Sequence, residues 1–324
     1  MNSTLLFSLL LSLLFLQACG DKENPPAIPD GTWEELSGIS NPPFAPRKGM
    51  VSFVIGDKAY VGLGVDENGL NKNDFYSFSP SSGWSALGSF IGGARAYAVG
   101  FSINGKGYVG TGRRVGNDIN PDIYYDDFFE YDPNASSNKW REMESFPGGE
   151  RFWAAGFAID SLGYITTGQD EFANRYKDLW AYDPETDTWD DMADFPGDER
   201  ILAAGMVIRG KAYVGSGVGG TDFWEYDPAI NFWAEKANLP GGPRQGQVAF
   251  AIGNKGYIGL GRNDDGYLKD FYEYDSHADL WEQQLDFSST GRSEAFSFAI
   301  GAEGFIGTGR DSMNIYSDCF KFLP

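Results

Sequence analysis

Hydrophobic and polar positions alternate along this chain in short runs separated by Gly, Asn, Asp and Pro. The segment 210–217, Gly-Lys-Ala-Tyr-Val-Gly-Ser-Gly, shows the pattern: an alternating run that ends in Gly-x-Gly. Alternation with a period of two predicts half-buried strands, and the turn residues between the runs predict tight connections. Nowhere between the turns is there room for a capped helix. The chain is therefore expected to be all-β, with four short strands in each repeating unit.

The units share one register. An Arg begins each: Arg47, Arg95, Arg151, Arg200, Arg244 and Arg292, at spacings of 48, 56, 49, 44 and 48 residues. Thirteen residues after every Arg stands an aromatic: Tyr60, Tyr108, Tyr164, Tyr213, Tyr257, Phe305. An Asp then opens a Tyr- or Phe-rich run, as in Asp127, Asp178 and Asp222, and the run often ends in Tyr-Asp-Pro. A Trp (Trp84, Trp140, Trp189, Trp233, Trp281) falls 11 residues before the next Arg. Self-similarity at this period is the mark of a repeat architecture.

The Arg, the Gly-x-x-Tyr-Val-Gly-x-Gly strand, the Asp-led aromatic run with its Tyr-Asp-Pro and the terminal Trp together resemble the kelch repeat. The resemblance covers about residues 32–324. It implies a six-bladed β-propeller with four-stranded blades around a central channel. The sixth unit ends at Pro324 without a Trp strand, and a spare one lies at Thr32-Trp-Glu-Glu-Leu36. The N-terminal strand is thus expected to be the outer strand of the last blade.

Composition narrows the chemistry. The net charge is −21, from 25 Lys+Arg against 46 Asp+Glu, so no nucleic-acid partner is expected. One His, His277, and two Cys cannot build a multi-His or Cys-rich metal site. Kelch propellers include copper oxidases, and that class is excluded because it needs two His ligands and a Cys-linked Tyr. No metal and no cofactor is expected.

At the start of the chain, Leu5 to Leu16 is apolar apart from Ser8 and Ser12, too short to span a bilayer and fitting a signal peptide. The following Leu16-Gln-Ala-Cys19-Gly looks like a bacterial lipobox, although the preceding residues carry no Lys or Arg. The expected organisation is a lipoprotein signal peptide over 1–18, lipidated Cys19 with a Pro-rich tether over 19–31, and the propeller over 32–324. The only membrane contact would be the lipid anchor. This implies a monomeric outer-membrane lipoprotein in the envelope of a Gram-negative bacterium, periplasmic or surface-exposed.

The interval from Tyr to Asp varies from 9 to 19 residues, while the Arg–Tyr interval does not vary. In a four-stranded blade that interval is the connection between strands two and three. It lies on the same face as the six Arg, around the channel mouth, and loops on a rigid scaffold are where binding usually resides. Three of these loops carry an Arg directly after the Gly: Arg113, Arg262, Arg310. Candidate binding residues are therefore the six register Arg, these three, and Tyr97 and Trp153, which stand two residues after their Arg. The register Arg have an alternative role, as ion pairs with the Asp that opens each third strand. Glu150 and Glu199, each beside an Arg, are the candidate general bases. The expected function is a binding protein for a glycan or protein partner at an Arg-rich mouth. The alternative, implied by the resemblance, is a sugar epimerase or mutarotase similar to N-acetylneuraminate epimerase.

Overall fold

A computed structural model describes residues 31–116 and 120–324. The expected signal segment, Cys19 and nearly all of the tether lie outside the described residues. Six four-stranded antiparallel sheets follow one another. Blade 1 is Val51–Ile55, Lys58–Gly62, Phe75–Ser79 and Gly83–Ala86. Blade 2 is Val99–Ile103, Lys106–Gly110, Phe128–Tyr131 and Trp140–Met143. Blade 3 is Ala155–Ile159, Leu162–Thr166, Leu179–Asp183 and Thr188–Met192. Blade 4 is Ala204–Ile208, Lys211–Gly215, Phe223–Asp227 and Phe232–Lys236. Blade 5 is Val248–Ile252, Lys255–Gly259, Phe271–Asp275 and Leu280–Gln284. Blade 6 takes Phe296–Ile300, Glu303–Gly307 and Cys319–Leu323 from the end of the chain.

The fourth strand of blade 6 is Thr32–Glu35, paired antiparallel so that Trp33 faces Phe322. The chain closes its ring by joining its two ends in one sheet, as the missing sixth Trp implied. Trp33 packs against Phe271, Phe287 and Phe322 at 5.1, 5.0 and 4.8 Å, which ties the seam into the core of blade 5.

The core is not one central mass. It is divided among the interfaces between neighbouring blades, as where Val51, Phe53 and Phe75 of blade 1 meet Val109, Phe129 and Trp140 of blade 2. Each fully buried aromatic contributes up to about 3 kcal/mol by removal from water. The contact is close because small residues of one blade receive large ones of the previous blade. A Cβ on Gly107 would lie 2.1 Å from the Phe53 ring, and one on Gly163 2.2 Å from Phe101.

Candidate functional site

Each register Arg stands four residues before the inner strand of its blade, and all six are between 0 and 2% exposed. Their guanidiniums pair with the Asp at the start of the third strand. Arg47–Asp74, Arg151–Asp178, Arg200–Asp222 and Arg244–Asp270 approach to 2.6, 2.5, 2.7 and 2.6 Å, and Arg95–Asp127 and Arg292–Asp318 form the same pair. The same Nη1 donates to the carbonyl of the residue just before the glycine that follows the second strand, for example Thr167 in Thr-Thr-Gly at 3.2 Å and Ser216 in Gly-Ser-Gly at 3.2 Å. A guanidinium presents donors in a fixed fork, so it can hold a carboxylate and a carbonyl at once. Arg47, Arg95, Arg151, Arg200, Arg244 and Arg292 are therefore withdrawn as ligand contacts. They fasten strands within the blade, with Nη1 and Nη2 of all six already committed, while Nε of Arg95, Arg151 and Arg244 is buried without a partner among the described residues.

What reaches the channel mouth is the residue two places on. Gly49, Tyr97, Trp153, Leu202, Gly246 and Glu294 all have φ between 57 and 66°. The left-handed turn rotates their peptide groups out of the strand direction and toward neighbouring blades. Tyr97 N–H donates to Gly49 O (2.9 Å), Gly49 N–H to Glu294 O (3.1 Å), Glu294 N–H to Gly246 O (2.9 Å), and Leu202 N–H to Trp153 O (2.9 Å). The Gln247 side chain donates to Leu202 O at 3.0 Å and joins blades 4 and 5. The result is a collar around the channel. Its four non-glycine members sit in a conformation that costs about 1–3 kcal/mol each, and such strain clusters at functional sites.

Outside the collar, the residue after each register Arg pairs with the residue after each Gly-x-Gly. Ala96 bridges to Arg113, Gln245 to Arg262 and Ser293 to Arg310, and Lys48 pairs with Val65. These bridges hold the post-glycine side chains over the opening. Lys48, Arg113, Arg262 and Arg310 thereby line one cavity of about 250 Å³ with Tyr97, Trp153 and Glu294. Five sequence-named candidates thus meet: Arg113, Arg262, Arg310, Tyr97 and Trp153.

Glu294 is the sole acidic residue among the described residues that line this cavity. It accepts from Tyr97 Oη at 2.8 Å and from Arg310 Nε at 2.9 Å, and Lys48 Nζ lies 3.9 Å away. Burial, opposed by Glu294 and reinforced by Arg310, Arg113 and Arg262, pulls the Lys48 ammonium below its ordinary range. Burial, and then Glu294, pushes the Tyr97 hydroxyl well above the usual tyrosine range, so it stays protonated at neutral pH. Arg113 lies over the rings of Phe152, Trp153 and Tyr97 at 4.7, 5.2 and 5.6 Å, with Asp122 at 3.6 Å. The Arg262 side chain has no hydrogen bond or ion pair among the described residues. Trp153 Nε1, Arg113 Nε and Ser293 Oγ are buried donors without a protein partner there.

Glu150 and Glu199 are both exposed and do not line this cavity. Burial, together with Glu171, Asp126 and Asp170, raises the Glu150 carboxyl. The acid at the mouth is Glu294, which the register pointed to without singling out, since it occupies the same position as Tyr97 and Trp153. Lys48, Gln245 and Ser293 were missed because they stand one place after an Arg, where an alternating strand would turn them away. Among the described residues no group of His, Cys, Asp and Glu is arranged to hold a metal ion.

Residues 164–196 match the Kelch motif. The N-acetylneuraminate epimerase of Vibrio vulnificus (strain YJ016) is 28% identical over 120 residues, 37% of this chain and 28% of that protein. The N-acetylneuraminate epimerase of Pasteurella multocida (strain Pm70) is 28% identical over 146 residues, 44% of this chain and 32% of that protein. The aligned parts thus span about a third of these curated relatives. The solved structure of YjhT superposes with a TM-score of 0.72 at 19% identity, covering 86% of this chain and 95% of that one, a likeness of fold. The register, the six sheets and these likenesses agree: the chain is a six-bladed kelch β-propeller that resembles the N-acetylneuraminate epimerases.

Proposed function

We propose that the mouth binds a small sugar acid, a pyranose carrying a carboxylate. The observation that carries this reading is four cationic side chains around one cavity with a single carboxylate among its described lining residues. Arg262 is the free anchor for a ligand carboxylate, and a guanidinium–carboxylate pair is directional and charge-assisted. Tyr97 and Trp153, 5.4 Å apart and inclined at 65°, supply an apolar corner for the face of a sugar ring. Calorimetric titration with N-acetylneuraminate tests it. Millimolar or tighter binding is expected, weakened about tenfold or more by Arg262→Ala. Unchanged affinity in that variant would place the ligand elsewhere.

A second reading, anomer interconversion, is favoured by the similarity to two epimerases and by the Glu294–Tyr97 hydrogen bond. A carboxylate and a protonated phenol side by side are the acid–base pair that ring opening and closing of a sugar requires. NMR exchange between N-acetylneuraminate anomers reads it. Acceleration lost in Glu294→Gln, with binding kept, is the expected result, and no acceleration at micromolar protein removes this reading. The envelope location is also proposed: the lipobox-like segment around Cys19 would anchor the propeller. Incorporation of labelled palmitate, abolished by Cys19→Ser, is the expected outcome.

A further inference from the structure

The seams between blades carry a repeated bond. At five of the six seams the Trp near the start of the fourth strand donates its indole N–H to a main-chain carbonyl on the preceding blade's side. Trp189 reaches Glu144 O at 3.0 Å, Trp233 reaches Ala193 O at 2.8 Å, and Trp281 reaches Ala237 O at 2.8 Å. Trp33 and Trp84 do the same to Leu285 and Ser40 at 3.1 and 2.9 Å. At three seams the N–H of the same acceptor residue is also held. Glu144 N–H donates to Asp187 Oδ1, Ala193 N–H to Asn231 Oδ1 and Ala237 N–H to Asp279 Oδ1, at 3.0, 2.9 and 2.9 Å. A Trp and the Asx two residues before it thus clamp the N–H and C=O of one residue in the neighbouring blade.

The seam between blades 1 and 2 has every part of this clamp and does not close it. Trp140 and Asn138 stand in register with Trp189 and Asp187, and Gly88 with Glu144. Asn138 has the left-handed φ of its counterparts, 51° against 56° at Asp187. The Trp140 ring keeps its packing, at 4.8 Å from Phe90 and 4.9 Å from Tyr131, as Trp189 lies 5.3 Å from Phe146 and 4.9 Å from Tyr182. Yet Trp140 is only 7% exposed and its Nε1 has no partner. The Asn138 side chain has none among the described residues either. The hairpin from Asp132 to Trp140 is two residues longer than that from Asp183 to Trp189. Between Gly88 and Trp140 lies a cavity of about 640 Å³, also lined by Ser89, Ile91 and Asn138.

We propose that this cleft is a second binding site, for an extended peptide segment of a partner protein. In an extended chain the N–H and C=O of one residue point to the same side. They would be taken by Asn138 Oδ1 and Trp140 Nε1, as the main chain is taken at the other seams. On the opposite wall, Gly88 bears no side chain to block the approach. The ligand is uncharged at the contact: Lys139 turns its ammonium to the Pro133 carbonyl, and among the described residues no carboxylate lines the cleft. Ile91, 59% exposed, gives the cleft an apolar lip for a small side chain. This site is separate from the mouth and does not depend on its ligand.

The test is NMR of the indole N–H groups of the 15N-labelled protein, with acetyl-trialanine-amide as probe. Saturable binding that moves the Trp140 signal downfield is expected, weakened about fivefold in Asn138→Ala, the worth of one neutral hydrogen bond. Asn138 holds nothing in the free protein, but its left-handed φ of 51° suits Asn better than Ala, so that variant should lose a few degrees of melting temperature at most and stay folded. The proposal is overturned by any of three results. One is no saturable shift up to about 10 mM peptide, roughly ten times a millimolar dissociation constant. Another is a shift with N-acetylglucosamine but not with the peptide. The third is a Trp140 N–H that exchanges with solvent as slowly, in the free protein, as those of the five bonded seam Trp.

Discussion

Arg200 and Arg262 have the same charged group and opposite fates. Arg200 is buried on Asp222, with Trp224 donating to the same carboxylate at 2.8 Å. Breaking a buried pair by removing one partner leaves an uncompensated charge, so Arg200→Met should cost about 3 kcal/mol in denaturant unfolding. Arg262→Met removes no such partner and should leave stability within about 0.5 kcal/mol while weakening sugar-acid binding. The Asp222 carboxyl is also a pH sensor for folding. Burial opposes its ionisation, but hydrogen bonds from Arg200 and Trp224 outweigh burial and hold its pKa below the ordinary range. A depressed folded pKa stabilises the protein above the unfolded value of about 4, and that stabilisation disappears as pH falls through the folded value. Asp311, lowered to about 2 by the Tyr316 hydroxyl and backbone N–H groups, acts in the same sense. Stability should therefore fall steeply below about pH 4, and less steeply in Arg200→Met, as read from urea midpoints at pH 7, 4 and 3.

Closure decides stability at the scale of elements. Thr32–Glu35 is the only strand of blade 6 supplied by the start of the chain, and its Trp33 covers the core of blades 5 and 6. Deleting 32–37 should lower the thermal midpoint by many degrees, since a 1 kcal/mol loss shifts it by about 2–4 °C in a domain of this class. An unchanged midpoint would mean that the ring holds without this strand. Gly112 makes a sharper local test. Its φ is +91°, and a Cβ there would meet the Ala96 carbonyl at 2.8 Å and the Ala98 nitrogen at 2.9 Å. Gly112→Ala should destabilise the blade 2 mouth and displace Arg113 with it. These strands were legible because hydrophobic alternation and the Trp count speak directly about pairing. The collar was not. A left-handed turn at Tyr97, Trp153, Leu202 and Glu294 has no local signature in residues of such different kinds. Only Gly49 and Gly246, at the same place in the register, hint at it. For the same reason Arg113, Arg262 and Arg310 could be named from their place after glycine, whereas Glu294 could not be told from a packing position.

At the scale of the molecule, the −21 net charge and the cationic mouth are compatible because the fold separates them. Six buried arginines are neutralised one for one by aspartates, so they contribute no field at the opening. The field there comes from Lys48, Arg113, Arg262 and Arg310, opposed by Glu294 and, beside Arg113, by Asp122. Partly buried charges are screened less than exposed ones, so affinity for a sugar acid should fall only modestly between 50 and 300 mM salt. Whether the mouth recognises a carboxylate is measured most directly by calorimetry of N-acetylneuraminate against its methyl ester, under identical conditions. The ester keeps the ring, hydroxyls and acetamido group and removes only the charge. Binding of the acid at least about tenfold tighter than the ester, with the difference lost in Arg262→Ala, is the result expected of a charge-assisted anchor. Equal affinity for acid and ester, or a difference that survives in Arg262→Ala, would contradict it.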